Sequence, residues 1–216
     1  MSPDSRPRVL LADDHLLVAE ALKSLLSPEF DLVGVVEDGH ALVEAAASLR
    51  PDVIVADVSM PHLNGIDALV KLRQGGDQVP VIFLTMHRDV VFARRALDAG
   101  AAGFVLKHSA STELVAALRA ALAGRTYLTP QIAGEVLDSM KSEPGATTDP
   151  ASALTLRQRE VVQLLAEGLV AKEVASKLGI SARTVEFHKY QAMEALGLHT
   201  NAELVHFAIK HGLVEL

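Results

Sequence analysis

The sequence predicts a doubly wound α/β domain with five parallel strands, followed by a small all-α domain of four helices. Over the first 125 residues, five short apolar runs alternate with five stretches that have helical periodicity. The runs are apolar on both faces, as a parallel sheet covered by helices requires. Beyond residue 153 only helical periodicity remains. These three observations define the fold class.

The five predicted strands share a short, nearly continuous apolar character, and each precedes an amphipathic stretch. They are "RVLLA" (8–12), "DLVGVV" (31–36), "DVIVA" (52–56), "VPVIFLT" (79–85) and "AGFVL" (102–106). The alternation lapses after Gly124, where "PQIAGEVLDSM" (130–140) predicts one short helix and residues 141–152 a flexible linker. The predicted organisation is a domain over 1–125, a linker with one helix over 126–152, and a domain over 153–216.

The four C-terminal helices are predicted from their start and stop signals. Thr155, Ser181 and Asn201 are expected as N-caps, while Gly168, Gly179 and Gly197 are expected to end helices. Four short helices in about 60 residues predict one compact bundle.

Composition excludes several functional classes. Half of the 216 residues are apolar, and the absence of cysteine excludes disulfides and thiolate metal sites. The N-terminus lacks a secretory pattern, and no apolar run approaches the ~18 residues of a membrane span. We expect a soluble cytoplasmic protein that does not contact membranes. The net charge of −7 lies entirely before Ser152, since seven basic and seven acidic residues follow from there. Nonspecific coating of nucleic acid along the whole chain is therefore not expected.

Polar residues stand at the ends of four predicted strands: Asp13 and Asp14, Asp57, Thr85 and Lys107. Ligands of parallel α/β sheets bind at the carboxyl ends of strands. Three carboxylates at close quarters repel one another unless a cation lies among them, and Mg²⁺ prefers such oxygen ligands. A metal, a lysine and a hydroxyl around one carboxylate suit phosphoryl transfer, with Asp57 as nucleophile. Pro61 and Gly65 predict a tight turn that folds over the site.

Residues 8–123 resemble the receiver domain of bacterial two-component response regulators. The matching segments are "ADD" (12–14), "DVSMPHLNG" (57–65), "LT" (84–85) and "FVLK" (104–107). The resemblance implies a flavodoxin-like strand order 2-1-3-4-5 and phosphorylation of Asp57 by a histidine kinase. It implies Mg²⁺ ligation by Asp14, Asp57 and the carbonyl of Ser59, with Asp13 acting directly or through water. It also implies phosphoryl contacts from Thr85 and Lys107, and an aromatic switch at Phe104, whose ring turns inward as Thr85 moves.

The segment "VASKLGISARTVEFH" (174–188) has the pattern of a helix-turn-helix. In its second helix, Val185, Ala192, Met193 and Leu196 fall on one face. The opposite face carries Arg183, Glu186, Phe187, Tyr190 and Glu194, with Lys189 towards its side. The first face is expected in the core and the second in the major groove of DNA.

Residues 154–214 resemble the LuxR-type DNA-binding domain through "LTLRQREVVQLLAEG", "KEVASKLGIS", "RTVEFH" and "ALGLHTNAELVHFAIKHGLV". The two halves together resemble the NarL/FixJ class of response regulators. The resemblance implies phosphate contacts from Lys172, Thr184, Lys189 and Tyr190, and base contacts from Glu186 and Phe187. Many members carry lysine at the positions of Glu186 and Tyr190. They also often carry Ser/Thr-Asn where this chain has Val170-Ala171, so one polar helix start is missing.

The sequence thus predicts a regulator, not an enzyme, that is phosphorylated on Asp57 and binds promoter DNA as a homodimer. Two alternatives stay open. One is a phosphorylation-independent adaptor with a degenerate switch, whose helical bundle binds protein. The other is a Mg²⁺-dependent hydrolase with an aspartyl-phosphate intermediate, which would commonly place a second aspartate two residues after the nucleophile, where Ser59 stands.

Overall fold

The first part of the chain is built on one parallel sheet. A computed structural model describes residues 6–86, 90–141 and 149–214. Its strands are β1 (Arg8–Ala12), β2 (Asp31–Val36), β3 (Val53–Asp57), β4 (Val81–Thr85), β5 (Gly103–Leu106) and β6 (Tyr127–Leu128). They pair in parallel in the order β2-β1-β3-β4-β5-β6. The predicted fold class and the order of its first five strands are confirmed.

Within the described residues, six α-helices accompany this sheet and four follow it. The first six are α1 (Leu16–Leu26), α2 (Gly39–Leu49), α3 (Gly65–Gln74), α4 (Val90–Asp98), α5 (Ala110–Leu122) and α6 (Pro130–Lys141). The last four are α7 (Leu156–Ala166), α8 (Ala171–Leu178), α9 (Ala182–Leu196) and α10 (Asn201–Lys210). Among the described residues, no helix combines the length and the apolar character needed to cross a membrane.

Alternate strand residues divide the core of the α/β part into two layers, because successive side chains of a strand point to opposite faces. Leu10 and Phe83 belong to a buried cluster that includes residues of α2, α3, α4 and α6. Leu11 and Leu84, their chain neighbours, belong to a second cluster that includes residues of α1 and α5. Both faces of the sheet are therefore covered, which explains the nearly continuous apolar runs.

In the part of the chain that the structure describes, the sheet has six strands where five were expected. The sixth consists of two residues, Tyr127 and Leu128, which pair with Gly103 and Phe104 of β5. A strand this short shows no periodicity, so the sequence around it reads as a connection. The helix predicted at 130–140 forms α6, whose Ile132 and Val136 are buried in the first core cluster. Most of the predicted flexible linker, residues 142–148, lies outside the described residues, and Pro150–Ala153 form a short 3-10 helix.

The helical part follows its sequence signals with one exception. Thr155 and Ser181 are N-caps as predicted, and Gly179 and Gly197 end α8 and α9 in the left-handed conformation. The predicted N-cap Asn201 is wrong: Thr200 caps α10, and its hydroxyl oxygen accepts a hydrogen bond from the Glu203 N–H. Both residue types cap well, and Glu203 stands three residues after Thr200, where it completes a capping box.

Candidate functional site

The strand order brings the predicted polar residues together at the carboxyl edge of the sheet. Asp57 and Thr85 are the last residues of β3 and β4, and Asp13 and Lys107 directly follow β1 and β5. These four strands are consecutive neighbours in the sheet. Residues separated by up to 94 positions in the sequence therefore share one edge.

Lys107 connects two buried carboxylates. Its Nζ lies 2.6 Å from Asp57 Oδ2 and 2.9 Å from Asp13 Oδ2. Both aspartates are almost completely buried, and the lysine side chain is mostly buried as well. Because attraction between charges strengthens as water is excluded, the ammonium group offsets the repulsion between the two carboxylates.

Burial and charge oppose each other at this pair. Burial raises the pKa of Asp57 to about 6, although the Lys107 ammonium beside it acts in the other direction. Burial alone would lower the pKa of Lys107, but the carboxylates of Asp57 and Asp13 outweigh it and raise that pKa above its usual value. The charge state of the Asp57 carboxyl group therefore depends on the cations beside it.

Asp14 and His15 complete an acidic cluster at the rim. Both residues are exposed, and His15 Nδ1 lies 3.0 Å from Asp14 Oδ1 and 3.2 Å from Asp13 Oδ1. One donor atom from each of Asp13, Asp14, His15 and Asp57 falls within 4.8 Å of the others. His15 was not among the predicted site residues, and its position directly after the aspartate pair is the signal that could have indicated it.

The donor chemistry of this cluster suits a hard cation. Three of its four residues offer carboxylate oxygens, two of them buried and one exposed. Mg²⁺ prefers oxygen ligands, holds few protein carboxylates and keeps several waters, and the exposed rim leaves space for water. We conclude that these residues could hold Mg²⁺.

The loop between β3 and α3 is tightly constrained. The Ser59 N–H donates to Asp57 Oδ1 over 3.3 Å, and the Gly65 N–H donates to the Val58 carbonyl over 2.9 Å. A Cβ atom on Gly65 would lie 2.1 Å from the Asp57 carbonyl oxygen, so glycine is required for this close approach. Asn64 caps α3 by accepting a hydrogen bond from the Asp67 N–H. The predicted tight turn after Asp57 is present.

The two predicted switch residues are buried. Thr85 is 1% exposed at the end of β4. Phe104 lies opposite Phe83 in the sheet register and is fully buried in the cluster that also contains Ile132 of α6. The ring thus occupies an inward position.

The predicted DNA-contact residues form an exposed surface on the helical part. Val185 and Ala192 of α9 are buried, whereas Phe187 is 56% and Tyr190 67% exposed. Arg183, Glu186 and, on α8, Lys172 are also exposed. Two of the predicted residues are less accessible. The Lys189 Nζ lies 3.4 Å from Glu186 Oε2, and the Thr184 hydroxyl lies 2.8 Å from that of Ser181.

Family models match both parts of the chain. The response regulator receiver domain matches residues 9–119, and the luxR family of bacterial regulatory proteins matches residues 152–208. The chain therefore belongs to the two-component response regulators of the NarL/FixJ type, which carry a receiver domain and a LuxR-type DNA-binding domain and regulate transcription.

Individual relatives agree with this family. The oxygen regulatory protein NreC of Staphylococcus aureus is 33% identical over 215 residues, which cover 96% of this chain and 99% of NreC. A structure of the RcsB response regulator of Salmonella typhimurium matches with a TM-score of 0.65 at 29% identity, covering 96% of this chain and 98% of RcsB. A structure of a LuxR-family response regulator from an Aurantimonas species matches with a TM-score of 0.60 at 34% identity. The match covers 64% of this chain and 100% of that regulator.

Proposed function

We propose that this protein is a phosphorylation-controlled transcription regulator whose phosphoacceptor is Asp57. The observation that carries the proposal is the contact of Lys107 with both Asp57 and Asp13 at the sheet edge. It makes Asp57 a buried carboxylate with a cation directly beside it. Such a group can attack a phosphoryl donor while the developing charge is neutralised locally.

The donor in this proposal is a phosphohistidine of a histidine kinase. An oxygen of the Asp57 carboxylate forms the new O–P bond while the P–N bond to the histidine breaks. The electron pair of that bond returns to the imidazole nitrogen, and the product is an acyl phosphate on Asp57. Lys107 then pairs with a phosphoryl oxygen, and Thr85 donates its hydroxyl to another.

Asp13, Asp14, Asp57 and the Ser59 carbonyl are proposed to hold Mg²⁺. When bound, the ion neutralises negative charge on the phosphoryl oxygens. The residues of the chain do the remaining work. They orient the Asp57 carboxylate through the Ser59 N–H, hold Lys107 against it, and limit access of water to the buried side of the site.

The output in this proposal is promoter binding by a homodimer. Phosphorylation shifts an existing equilibrium towards the dimer, and two α9 helices then read half-sites about 34–36 Å apart. Structures of RcsB show it as dimers bound to DNA and bound to a promoter with the phosphomimetic BeF3⁻. Two linked modules also compensate for a DNA-binding part with equal numbers of acidic and basic residues.

Several wider expectations belong to the same proposal. The receiver domain extends over 1–125 and the DNA-binding domain over 153–216, with the connection between them. The protein works in the cytoplasm and assists only its own phosphorylation and dephosphorylation, not turnover of a separate substrate. Phe104 acts as an aromatic switch, whose ring turns inward as Thr85 moves.

Sequencing of genomic DNA bound by the purified protein, with and without acetyl phosphate and Mg²⁺, tests the proposal. We expect enrichment of paired half-sites that depends on the phosphodonor for the wild type and is absent for Asp57→Ala. Asp98→Ala, which removes an exposed carboxylate on α4, is the matched control. If Asp57→Ala binds DNA and responds to acetyl phosphate as the wild type does, Asp57 is not the control point.

A further inference from the structure

His15 stands between β1 and α1, directly after the aspartate pair. It is the N-cap of α1, but within the described residues its ring accepts no hydrogen bond from the first turn of that helix. Its own N–H donates to Asp13 Oδ1 over 2.9 Å. The ring nitrogen Nδ1 lies 3.0 Å from Asp14 Oδ1 and 3.2 Å from Asp13 Oδ1. The backbone thus holds His15 against Asp13, and the ring is turned towards the carboxylates.

The charged groups beside His15 are not balanced. Asp13, Asp14 and Asp57 supply three carboxylates, and Lys107 is a cation that contacts two of them. When all four are ionised, three negative charges and one positive charge leave two negative charges, which one divalent cation neutralises.

One buried oxygen of this cluster lacks a proper donor. Asp13 Oδ2 is buried, and although Lys107 Nζ lies 2.9 Å away, this oxygen accepts no hydrogen bond of normal geometry from the described residues. The other oxygen of the same carboxylate accepts from His15. A bound ion accounts for a buried polar atom in this state.

His15 and the three aspartates are within reach of one ion. One ligand atom from each of the four residues lies within 4.8 Å of the other three. Metal–ligand bonds of about 2.1 Å place two ligands of one ion about 3–4 Å apart, so small movements of the side chains suffice. His15 also lines a cavity of about 370 Å³ together with Asp14 and Ser59, so its ring shares one space with two of the proposed ligands.

The imidazole nitrogen distinguishes this cluster from one built of oxygen alone. Mg²⁺ takes oxygen ligands, whereas Co²⁺, Ni²⁺ and Zn²⁺ bind imidazole as well as carboxylate. A neutral imidazole offers one ring nitrogen as a ligand, and Nδ1 is the nitrogen that lies beside the carboxylates here. The ring of His15 can therefore add affinity for these ions, and it adds none for Mg²⁺.

We infer that His15 is a nitrogen ligand at the phosphoacceptor site, and that it gives this site a preference for a divalent first-row metal ion such as Zn²⁺ over Mg²⁺. The inference rests on the proposed function, because it uses the carboxylate ligands proposed there. Both kinds of ion then compete for one set of carboxylates. Control through Asp57 accordingly depends on which divalent ion is available.

Two measurements on the full-length protein, with Zn²⁺ and Mg²⁺ as separate probes, test this inference. Isothermal titration calorimetry gives the affinity for each ion. Long-range proton–nitrogen NMR spectra of the histidine rings in ¹⁵N-labelled protein show which nitrogen binds the ion, because ligation changes its chemical shift. Three variants are compared with the wild type. His15→Ala removes the nitrogen, Asp57→Asn removes a carboxylate of the same site, and His206→Ala removes an exposed histidine of α10 as the matched control.

For the wild type we expect Zn²⁺ to shift the Nδ1 resonance of His15, and Mg²⁺ to leave this nitrogen without a metal bond. Zn²⁺ affinity should fall about tenfold or more in His15→Ala, whereas its Mg²⁺ affinity should stay that of the wild type. Asp57→Asn should weaken the binding of both ions, and His206→Ala the binding of neither. The NMR result on the wild type does not depend on the folding of any variant.

Two results would overturn the inference while leaving the proposed function intact. One is a wild type in which Zn²⁺ leaves the Nδ1 resonance of His15 in place. The other is a His15→Ala variant that loses affinity for both ions equally or for neither. If Asp57→Asn binds both ions as the wild type does, the proposed metal ligands are wrong, and the inference fails with them.

Discussion

The acidic site of the receiver domain and the exposed surface of α9 use polar residues in opposite ways. Asp13 and Asp57 are buried, and the mostly buried Lys107 forms an ion pair with each of them. Phe187 and Tyr190 project into solvent from a helix whose other face is buried. The side chains of the first region are held in place by one another before any ligand binds. Those of the second region are exposed to solvent and are available for contacts with a partner. Substitutions should therefore change chemistry and stability together in the receiver domain, but separately on α9.

The largest expected effect is loss of the phosphoacceptor. Asp57→Asn removes the nucleophilic carboxylate while it preserves the size of the side chain and one of its two hydrogen-bond acceptors, so phosphorylation by acetyl phosphate should be abolished. Phosphate-affinity electrophoresis measures the phosphorylated fraction, and Asp98→Asn is the control for loss of an exposed carboxylate. Labelling of Asp57→Asn at the rate of the wild type would place the acceptor elsewhere.

A glycine pair tests how tightly the receiver site is built. Gly65→Ala puts a Cβ 2.1 Å from the Asp57 carbonyl oxygen and should lower the free energy of unfolding by about 3 kcal/mol. Gly134→Ala, within α6, meets no atom within 4 Å and should raise that free energy by about 0.5–1 kcal/mol through helix propensity. Chemical denaturation measures both. Equal stability of the two variants would mean that the loop relaxes without cost.

Lys107→Ala tests the charge balance at Asp57. Without the ammonium group the buried carboxylates of Asp13 and Asp57 face each other, and the phosphoryl group loses its cation, so phosphorylation should slow about 100-fold. Lys23→Ala, an exposed lysine of α1, is the control. The measurement is the initial rate with acetyl phosphate at saturating Mg²⁺. A rate within twofold of the wild type would show that Lys107 is structural.

A matched pair on α9 should separate function from stability. Phe187→Ala removes a side chain that is 56% exposed, so DNA affinity should fall about tenfold with little change in stability. Val185→Ala, two residues earlier and fully buried, should cost about 2 kcal/mol of stability. DNA titration and denaturation are measured on both variants. A large loss of stability in Phe187→Ala would make it a core residue and contradict the proposed contact.

The sequence could predict the sheet and the edge on which its polar residues meet, since apolar runs and strand ends determine both. It could not predict β6, because two residues carry no period. The gathering of Asp13, Asp57 and Lys107 followed from topology, but the participation of His15 did not, since a histidine in a turn has many uses. The contact of α7 with the loop between β3 and α3 was not predictable at all. Gln163 and Glu167 look like ordinary polar positions of a helix until the two domains are placed together.

The smallest expected effect concerns the start of α8, where the N-cap residue has no polar side chain. Val170 is the N-cap, is 60% exposed and offers no side-chain acceptor, although the Glu173 carboxylate accepts a hydrogen bond from its N–H over 2.8 Å. Val170→Thr supplies the hydroxyl that an N-cap normally provides, so the free energy of unfolding should rise by about 0.5–1 kcal/mol. Val170→Ala adds no acceptor and should give no such gain, which makes it the matched control for loss of the exposed apolar side chain. Thermal unfolding of the three proteins should show a rise of about 1–4 °C for threonine alone. Equal unfolding temperatures for Val170→Thr and Val170→Ala would show that the Glu173 carboxylate already satisfies this helix end, and that the missing polar cap has no energetic consequence.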